Sequence, residues 1–171
     1  MKKLFSLRFA ASAALLLCAP GASTALWAAD FTPKATVPAA ANTLTSARQA
    51  IEAKDWAKAI GLLQQAVQSE PRNADAHNLL AYSLRKQVKP DMPGAFEHYK
   101  TALRLDPQHR GAHEYIGEAY LMDKQPLEAQ KHLAALEKIC GNKTCEEYED
   151  LAKAIADYQA AQAKAPAAPN H

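Results

Sequence analysis

The chain repeats itself. From Ala59 it reads A-I-G-L-L-Q-Q-A-V-Q-S-E-P, ending at Pro71, and from Ala95 it reads A-F-E-H-Y-K-T-A-L-R-L-D-P, ending at Pro107. A third copy starts at Ala129 as A-Q-K-H-L-A-A-L-E-K-I-C and departs from the pattern only at its end. Ala59 to Ala95 is a step of 36 residues, and Ala95 to Ala129 a step of 34. A period in this range marks a stacked-repeat architecture, because each unit is too small to bury its apolar face alone. Such a stack implies binding of other polypeptides rather than chemistry. It does not name the partner.

Each unit reads as two helices. His77, Leu80, Ala81 and Leu84 fall at i, i+3, i+4 and i+7, one stripe of a helix, and His113, Ile116, Gly117 and Tyr120 repeat the offsets. Ala81 and Gly117 are small where two helices must approach closely. A polar break follows each stripe: Lys54-Asp55 in the first unit, residues 87–92 with Pro90 in the second, and Asp123-Lys124-Gln125 in the third. Pro126 suits the first turn of the next helix. The second helices carry Ala59/Leu63/Ala66, Ala95/Tyr99/Ala102 and Ala129/Leu133/Leu136. Pro71 and Pro107 stop the first two, since proline lacks the next backbone donor.

These residues resemble the tetratricopeptide repeat, a 34-residue helix-turn-helix unit. The match covers residues 74–109 and 110–143, the earlier one with two extra residues in its inter-helix loop. Residues 40–73 match in the second helix, at Trp56, Ala59, Leu63, Ala66 and Pro71. The first helix of that unit, read over residues 43–53, is degenerate: Ser46 stands where Leu is expected, and the stripe Leu44, Ala47, Ile51 is shifted by one residue. The resemblance implies an all-α, right-handed superhelical solenoid of about three units. It also implies that first helices line a concave groove whose outward positions contact a partner peptide or helix. Those positions are Arg48 and Glu52 in the first unit, and Asp75, Asn78, Tyr82, Arg85 and Lys86 in the second. The third contributes Glu114, Glu118, Leu121 and Met122. The same residues could equally be the solvated face of surface helices. The set lacks the dense Lys/Asn/Arg group that would clamp a terminal carboxylate.

The ends have a different character. Lys2, Lys3 and Arg8 precede an apolar run over residues 9–19, broken by Pro20-Gly21 and followed by small residues through Ala29. This is the layout of a cleavable export signal over residues 1–29, too short in its apolar part to span a bilayer. Cleavage could follow Ala25, Ala28 or Ala29, with the later pair favoured. A lipoprotein signal at Cys18 is disfavoured by Leu17, which is not small. The whole chain has 20 basic and 18 acidic residues; without the leader 17 face 18, so the body is near neutral. Nothing in it suggests a nucleic-acid footprint, which needs clustered Lys/Arg on one face. Residues 30–42, with Pro33 and Pro38, read as a flexible tether, residues 43–159 as the repeat domain, and the Ala/Pro-rich residues 160–171 as a disordered tail.

Once the leader is gone, Cys140 and Cys145 remain, in Cys-Gly-Asn-Lys-Thr-Cys. In an oxidising compartment they are expected to form a disulfide, worth about 2 kcal/mol by chain entropy for so small a loop. Gly141 can take a left-handed helix cap, and Thr144 with Glu147 spells a capping box for a last helix over residues 145–159. Tyr148, Leu151, Ile155 and Tyr158 form a stripe on that helix, suited to cap the open end of the stack. Its other face holds Glu146, Glu149, Asp150, Lys153 and Asp157.

Chemistry finds little footing. The Cys pair has the wrong spacing for haem attachment, and a zinc site would need ligands beyond His132. His109 and His113 are four apart, but no third ligand is fixed by the spacing. His77 and His113 occupy equivalent positions and suit an inter-helix slot. No P-loop, dinucleotide fingerprint, G-x-S-x-G or H-E-x-x-H occurs. The expectation is a non-enzymatic periplasmic or secreted adaptor or assembly factor. It needs no cofactor or metal and binds a protein or peptide in its groove. Two rivals are a thiol-redox or metal protein using Cys140/Cys145 with His132, and a structural subunit of an envelope complex.

Overall fold

A computed structural model describes residues 37–164. The leader and its cleavage site, the tether up to residue 36 and the tail from residue 165 lie outside the described residues. The described chain forms α1 (Val37–Glu52), α2 (Trp56–Ser69), α3 (Ala74–Lys86), α4 (Met92–Leu105), α5 (Arg110–Met122), α6 (Pro126–Cys140) and α7 (Glu146–Lys164).

The helix starts follow local chemistry. The side chains of Asp55, Asn73 and Asp91 each accept a hydrogen bond from the backbone N–H three residues on, at 3.1, 3.0 and 3.0 Å. His109 does the same for Ala112 through Nδ1, at 3.2 Å. Pro126 opens α6, where its missing N–H leaves nothing unsatisfied. At the ends before Pro71 and Pro107, Glu70 and Asp106 donate their N–H groups back to Ala66 and Ala102. Gly141 ends α6 with φ 69°, a left-handed conformation that costs glycine nothing.

Three boundaries differ from the sequence reading. Helix α1 begins at Val37, inside the expected tether, and Pro38 falls in its first turn, the one place where a helix tolerates it. Helix α7 continues through Lys164, because Ala160, Ala161, Gln162, Ala163 and Lys164 are all good helix formers with no breaker before Pro166. The capping box at Thr144 does not form. Thr144 turns its N–H and hydroxyl to Asn142 Oδ1, at 2.9 and 3.0 Å, and Glu147 pairs instead with Arg110 at 3.4 Å.

Helices pack as hairpins α1/α2, α3/α4 and α5/α6, each stacked on the next. The first helices also touch one another, α1 with α3 and α3 with α5. Helix α7 continues this series against α5 and α6, taking the place of the first helix of a fourth hairpin. Leu63 and Tyr99 sit at the same repeat position and are fully buried; side chains of this size contribute about 1.5–3 kcal/mol each when removed from water. In the third hairpin the large buried residue shifts one turn, to Leu136, where Ala66 and Ala102 stand earlier. Leu136, Leu151 and Ile155 form one cluster there, so the shifted leucine is what receives α7. Gly117 lets that helix close: a Cβ built on it would lie 2.6 and 2.7 Å from the Leu151 methyl carbons.

Candidate functional site

The side-by-side first helices α1, α3 and α5, joined by α7, present one continuous face. Its edge is tied across three helices. Arg48 Nη2 on α1 lies 3.2 Å from Asp75 Oδ2 on α3, and His109 Nε2, before α5, lies 3.0 Å from Asp75 Oδ1. Asp75 thereby fixes the spacing of three successive repeats at one end. His109 is spent on this contact and on its cap, so it does not converge with His113.

At the other end Arg85 does the same work from within. It is only 5% exposed. Its Nε donates to Tyr99 Oη at 3.3 Å, its Nη2 to Glu118 Oε2 at 2.6 Å, and its Nη1 to Met122 Sδ at 3.6 Å. The guanidinium also lies 5.5 Å from the Tyr82 ring centre, favourable for a cation over an aromatic face. Lys86 places its Nζ 5.7 Å from the same ring. Tyr82 is half-buried between Trp56, at 6.1 Å edge-on, and Tyr115, at 4.7 Å. Burial pushes the phenols of Tyr82 and Tyr115 up, Tyr115 to about 12, so both are neutral hydrogen-bonding surfaces at ordinary pH.

The positions expected to face outward divide. Arg48, Glu52, Asp75, Lys86 and Met122 are exposed, and Tyr82 and Glu118 are half-buried. Asn78, Arg85, Glu114 and Leu121 are buried. Leu121 belongs to the core, packed with Leu136, Leu151 and Ile155, because α7 covers it. Arg85 is a strut between repeats, holding Tyr99 and Glu118. Asn78 and Glu114 are equivalent residues of successive repeats, closed over by the neighbouring first helix.

Arg85, Lys86, Glu118, Leu121 and Met122 nevertheless line one pocket of about 430 Å³, together with Ala154 and Tyr158 of α7. The sequence reading placed Tyr158 on a capping stripe and did not single out Ala154. The signal was present: a last helix that takes the place of a first helix exposes its own inner edge. The apolar stripe Tyr148, Leu151, Ile155, Tyr158 points to the core, and the residue before Ile155 then turns toward the groove.

The histidines form a second, repeated constellation. His77 Nδ1 lies 3.0 Å from His98 Nδ1, and His113 Nδ1 lies 2.9 Å from His132 Nδ1. In each pair the first-helix histidine also reaches a proline carbonyl through Nε2, Pro71 at 3.2 Å and Pro107 at 3.1 Å. That carbonyl accepts, so Nε2 carries the proton, Nδ1 of the same ring accepts, and His98 or His132 donates. Burial holds His98 and His113 below the usual histidine range, and burial plus the facing His113 brings His132 down to about 4. The pairs are struts between the two helices of a hairpin. His132 is therefore committed to His113 and not to the cysteines.

Cys140 and Cys145 are joined as a disulfide, with Cα atoms 6.3 Å apart. Together with Glu147 they are the one group of three potential metal ligands within 4.8 Å of one another among the described residues. With both sulfurs bonded to each other, that set offers one carboxylate and no thiolate.

A family model for the tetratricopeptide repeat matches residues 44–108. Comparison with curated proteins finds no match. Among solved structures, the chain is similar to the TPR2B domain of yeast Sti1 in its complex with pHsp70. The identity is 16%, the match covers 71% of this chain and 97% of that one, and the TM-score is 0.64. It is similar to the Sgt2 TPR domain of Aspergillus fumigatus at 20% identity, over 78% and 89% of the two chains, with TM-score 0.64. It is also similar to the Yersinia enterocolitica type III secretion translocator chaperone SycD at 14% identity, over 72% and 91%, with TM-score 0.61. At these identities the likeness shows the fold. The residue pattern, the family match over residues 44–108 and the stacked hairpins agree on the tetratricopeptide repeat fold.

Proposed function

We propose that this protein is a non-enzymatic adaptor or assembly factor that holds a segment of another polypeptide on the face formed by α1, α3, α5 and α7. One observation carries the reading: residues from three different helices, α3, α5 and α7, converge on a single open pocket. The wall combines an exposed thioether (Met122), a tyrosine (Tyr158), an ammonium (Lys86) and a carboxylate (Glu118), a mixture suited to side chains rather than to one small substrate. The repeat structures it resembles include one solved with a bound partner and one described as a chaperone, and this supports the reading by analogy of fold.

The proposal places the protein in the periplasm or outside the cell. The basic start, the short apolar run and the small-residue exit support export, and the Cys140–Cys145 bridge fits an oxidising compartment. Among the described residues, no helix is long and apolar enough to cross a membrane.

Site-specific photo-crosslinking tests the surface. A photoreactive residue at Met122, half-exposed in the pocket, is expected to capture the partner in the native envelope. The same residue at Gln130, exposed on α6, is expected not to. Equal capture from both positions, or capture from Gln130 alone, would remove the inner face from the account.

A further inference from the structure

The inner face holds one sealed hydrogen-bond acceptor without a donor, and one largely buried carboxylate without a partner among the described residues. Asn78 is 4% exposed, and its Oδ1 has no partner. Glu114 is 8% exposed and makes no hydrogen bond or ion pair among the described residues. The two occupy the same position in successive repeats. A Cβ on Gly111, one turn before Glu114 on the same face of α5, would lie 3.4 Å from the Asn78 amide, so Asn78 leans on the α5 face that carries Glu114.

Glu114 does not stand in neutral surroundings. It faces Glu118 on its own helix and Glu146, Glu147 and Asp150 on α7. From the other side it faces the neutral phenols of Tyr82 on α3 and Tyr115 on α5. Two of the carboxylates are already matched, Glu118 by Arg85 at 2.6 Å and Glu147 by Arg110 at 3.4 Å. Glu114 and Glu146 have no such cation among the described residues, and Asp150 has only the more distant Lys153, which is itself paired with Asp157. A buried carboxylate left unpaired among like charges costs stability, and natural chains ordinarily pair it. Here the pairing cation is missing from the described chain, on the face proposed to hold a partner.

We propose that the acidic edge where α5 meets α7 receives a lysine or arginine side chain of the bound polypeptide, with Glu114 as its largely buried counter-ion and Glu146 and Asp150 guiding it in from the rim. This rests on the reading of the inner face as a polypeptide-binding surface and specifies the chemistry of its occupant. A metal ion fits less well, because among the described residues no three of these carboxylates bring oxygens within 4.8 Å of one another. An ammonium or guanidinium presents several donors across a wider span, which is what dispersed acceptors call for. An acidic segment is repelled by the same residues.

Burial and the surrounding carboxylates push Glu114 up to about 8, so the free protein holds it largely protonated at pH 7. An arriving cation favours the anion, and the proton leaves. Binding through this site therefore releases about one proton, a signature that general surface attraction lacks.

The test uses the purified protein and three synthetic peptides, acetyl-(Lys-Ala)5-amide, acetyl-(Gln-Ala)5-amide and acetyl-(Glu-Ala)5-amide. Amide chemical-shift mapping locates the contact. Calorimetry at pH 7 in two buffers of different ionisation enthalpy counts protons. The lysine peptide is expected to shift amides around Glu114, Glu146 and Asp150 and to release about one proton. Glu114→Gln, the same shape without the charge, is expected to weaken it about tenfold and to abolish the release. Asp150→Asn is expected to weaken it less. Glu97→Gln, exposed on α4, is expected to change nothing. Lysine-peptide binding unaltered by Glu114→Gln, proton-free binding, or no lysine-peptide binding at all overturns the proposal. The two readings fail separately. Groove shifts with the glutamine or glutamate peptide alone leave the polypeptide-binding face standing and remove the cation. Equal photo-capture from Met122 and Gln130 removes the face itself.

Discussion

His113 Nδ1 lies 2.9 Å from His132 Nδ1, and with Pro107 O on the far side of His113 this short contact fixes which ring donates. Tyr120 lies against His132 with ring centres 5.7 Å apart, nearly parallel. The His77–His98 pair repeats the arrangement one unit earlier. Each pair ties a first helix to its second helix at the point where the previous unit's proline enters, so each contact joins three segments at once.

The first prediction concerns acid. His132 is held down to about 4 by burial, then by His113; Lys131 also opposes its charge and Glu128 favours it. An unfolded chain binds that proton with a pKa near 6.5. Between about 6.5 and 4 the unfolded state therefore carries more protons, and stability falls as pH falls through that window. Urea midpoints at pH 7 and pH 5 in the Glu114→Gln background, which lacks the opposing titration, should show the loss. His132→Phe keeps the ring against Tyr120 but leaves His113 Nδ1 without its donor. It is expected to cost about 1 kcal/mol at pH 7 and to flatten the pH dependence. An equally steep loss in the variant would show that this pair is not its source.

Glu114 acts in the opposite sense. Its folded pKa is raised from 4.5 to about 8, by burial first and then by Glu118, Asp150, Glu147 and Glu146. Between those limits the folded state holds the extra proton, so stability falls as pH rises from about 4.5 to 8. Glu114→Gln is expected to match the parent near pH 5 and to melt at a higher temperature at pH 8.5. Thermal unfolding by circular dichroism at both pH values checks this. A variant that melts lower at pH 8.5 would mean that the carboxylate is satisfied in the folded chain. The two windows overlap between about 4.5 and 6.5, where the effects oppose each other; above about 6.5 the Glu114 loss stands alone, and below about 4.5 the His132 loss does.

Much of this was written in the sequence, and the residues say why. Ala59, Ala95 and Ala129 recur at fixed steps because each unit meets its neighbour through the same close helix contact, and all three are fully buried. Gly141 was legible as a helix end because backbone rules are local. The steps of 36 and 34 also relate His77 to His113 and His98 to His132, so the paired histidines could have been found by applying the repeat to them. What failed was whatever depended on a neighbour's exact approach. Thr144 lost its capping role to Asn142 two residues away, a competition inside a loop closed by the Cys140–Cys145 bridge. Asn78, Arg85, Glu114 and Leu121 read as outward-facing because periodicity fixes the face of a helix. It does not fix how tightly the next helix closes over that face.

The third prediction follows from Gly117. A side chain there meets the methyl groups of Leu151, which is fully buried in the cluster with Leu136 and Ile155. Gly117→Val is expected to destabilise the protein by about 1–3 kcal/mol through overpacking, despite the gain in helix preference. The loss should concentrate in α7, seen as faster amide exchange there than in α1–α4. Leu151→Ala alone should cost about 2–5 kcal/mol, and the double variant less than the sum of the two. Strict additivity would show that the two residues do not press on each other.

The last prediction separates strut from binding surface at Arg85. Its guanidinium is buried and holds Glu118 at 2.6 Å and Tyr99 at 3.3 Å. Glu118→Ala strands a charge left with only neutral partners, the Tyr99 phenol, the Met122 sulfur and the Tyr82 ring. Breaking a fully buried pair costs about 3–5 kcal/mol, and Glu118, partly open to water, should cost about 2. Arg85→Met with Glu118→Leu removes both charges and fills the space, and is expected to recover most of that stability, as apolar replacements of buried pairs do. Denaturant midpoints of the parent, the single and the double variant measure both effects. If the double variant is as stable as the parent and a photoreactive residue at Met122 still captures the partner, Arg85 serves the stacking of repeats. If it is as stable but capture is lost, the same guanidinium also meets the partner, and the strut and the binding surface are one.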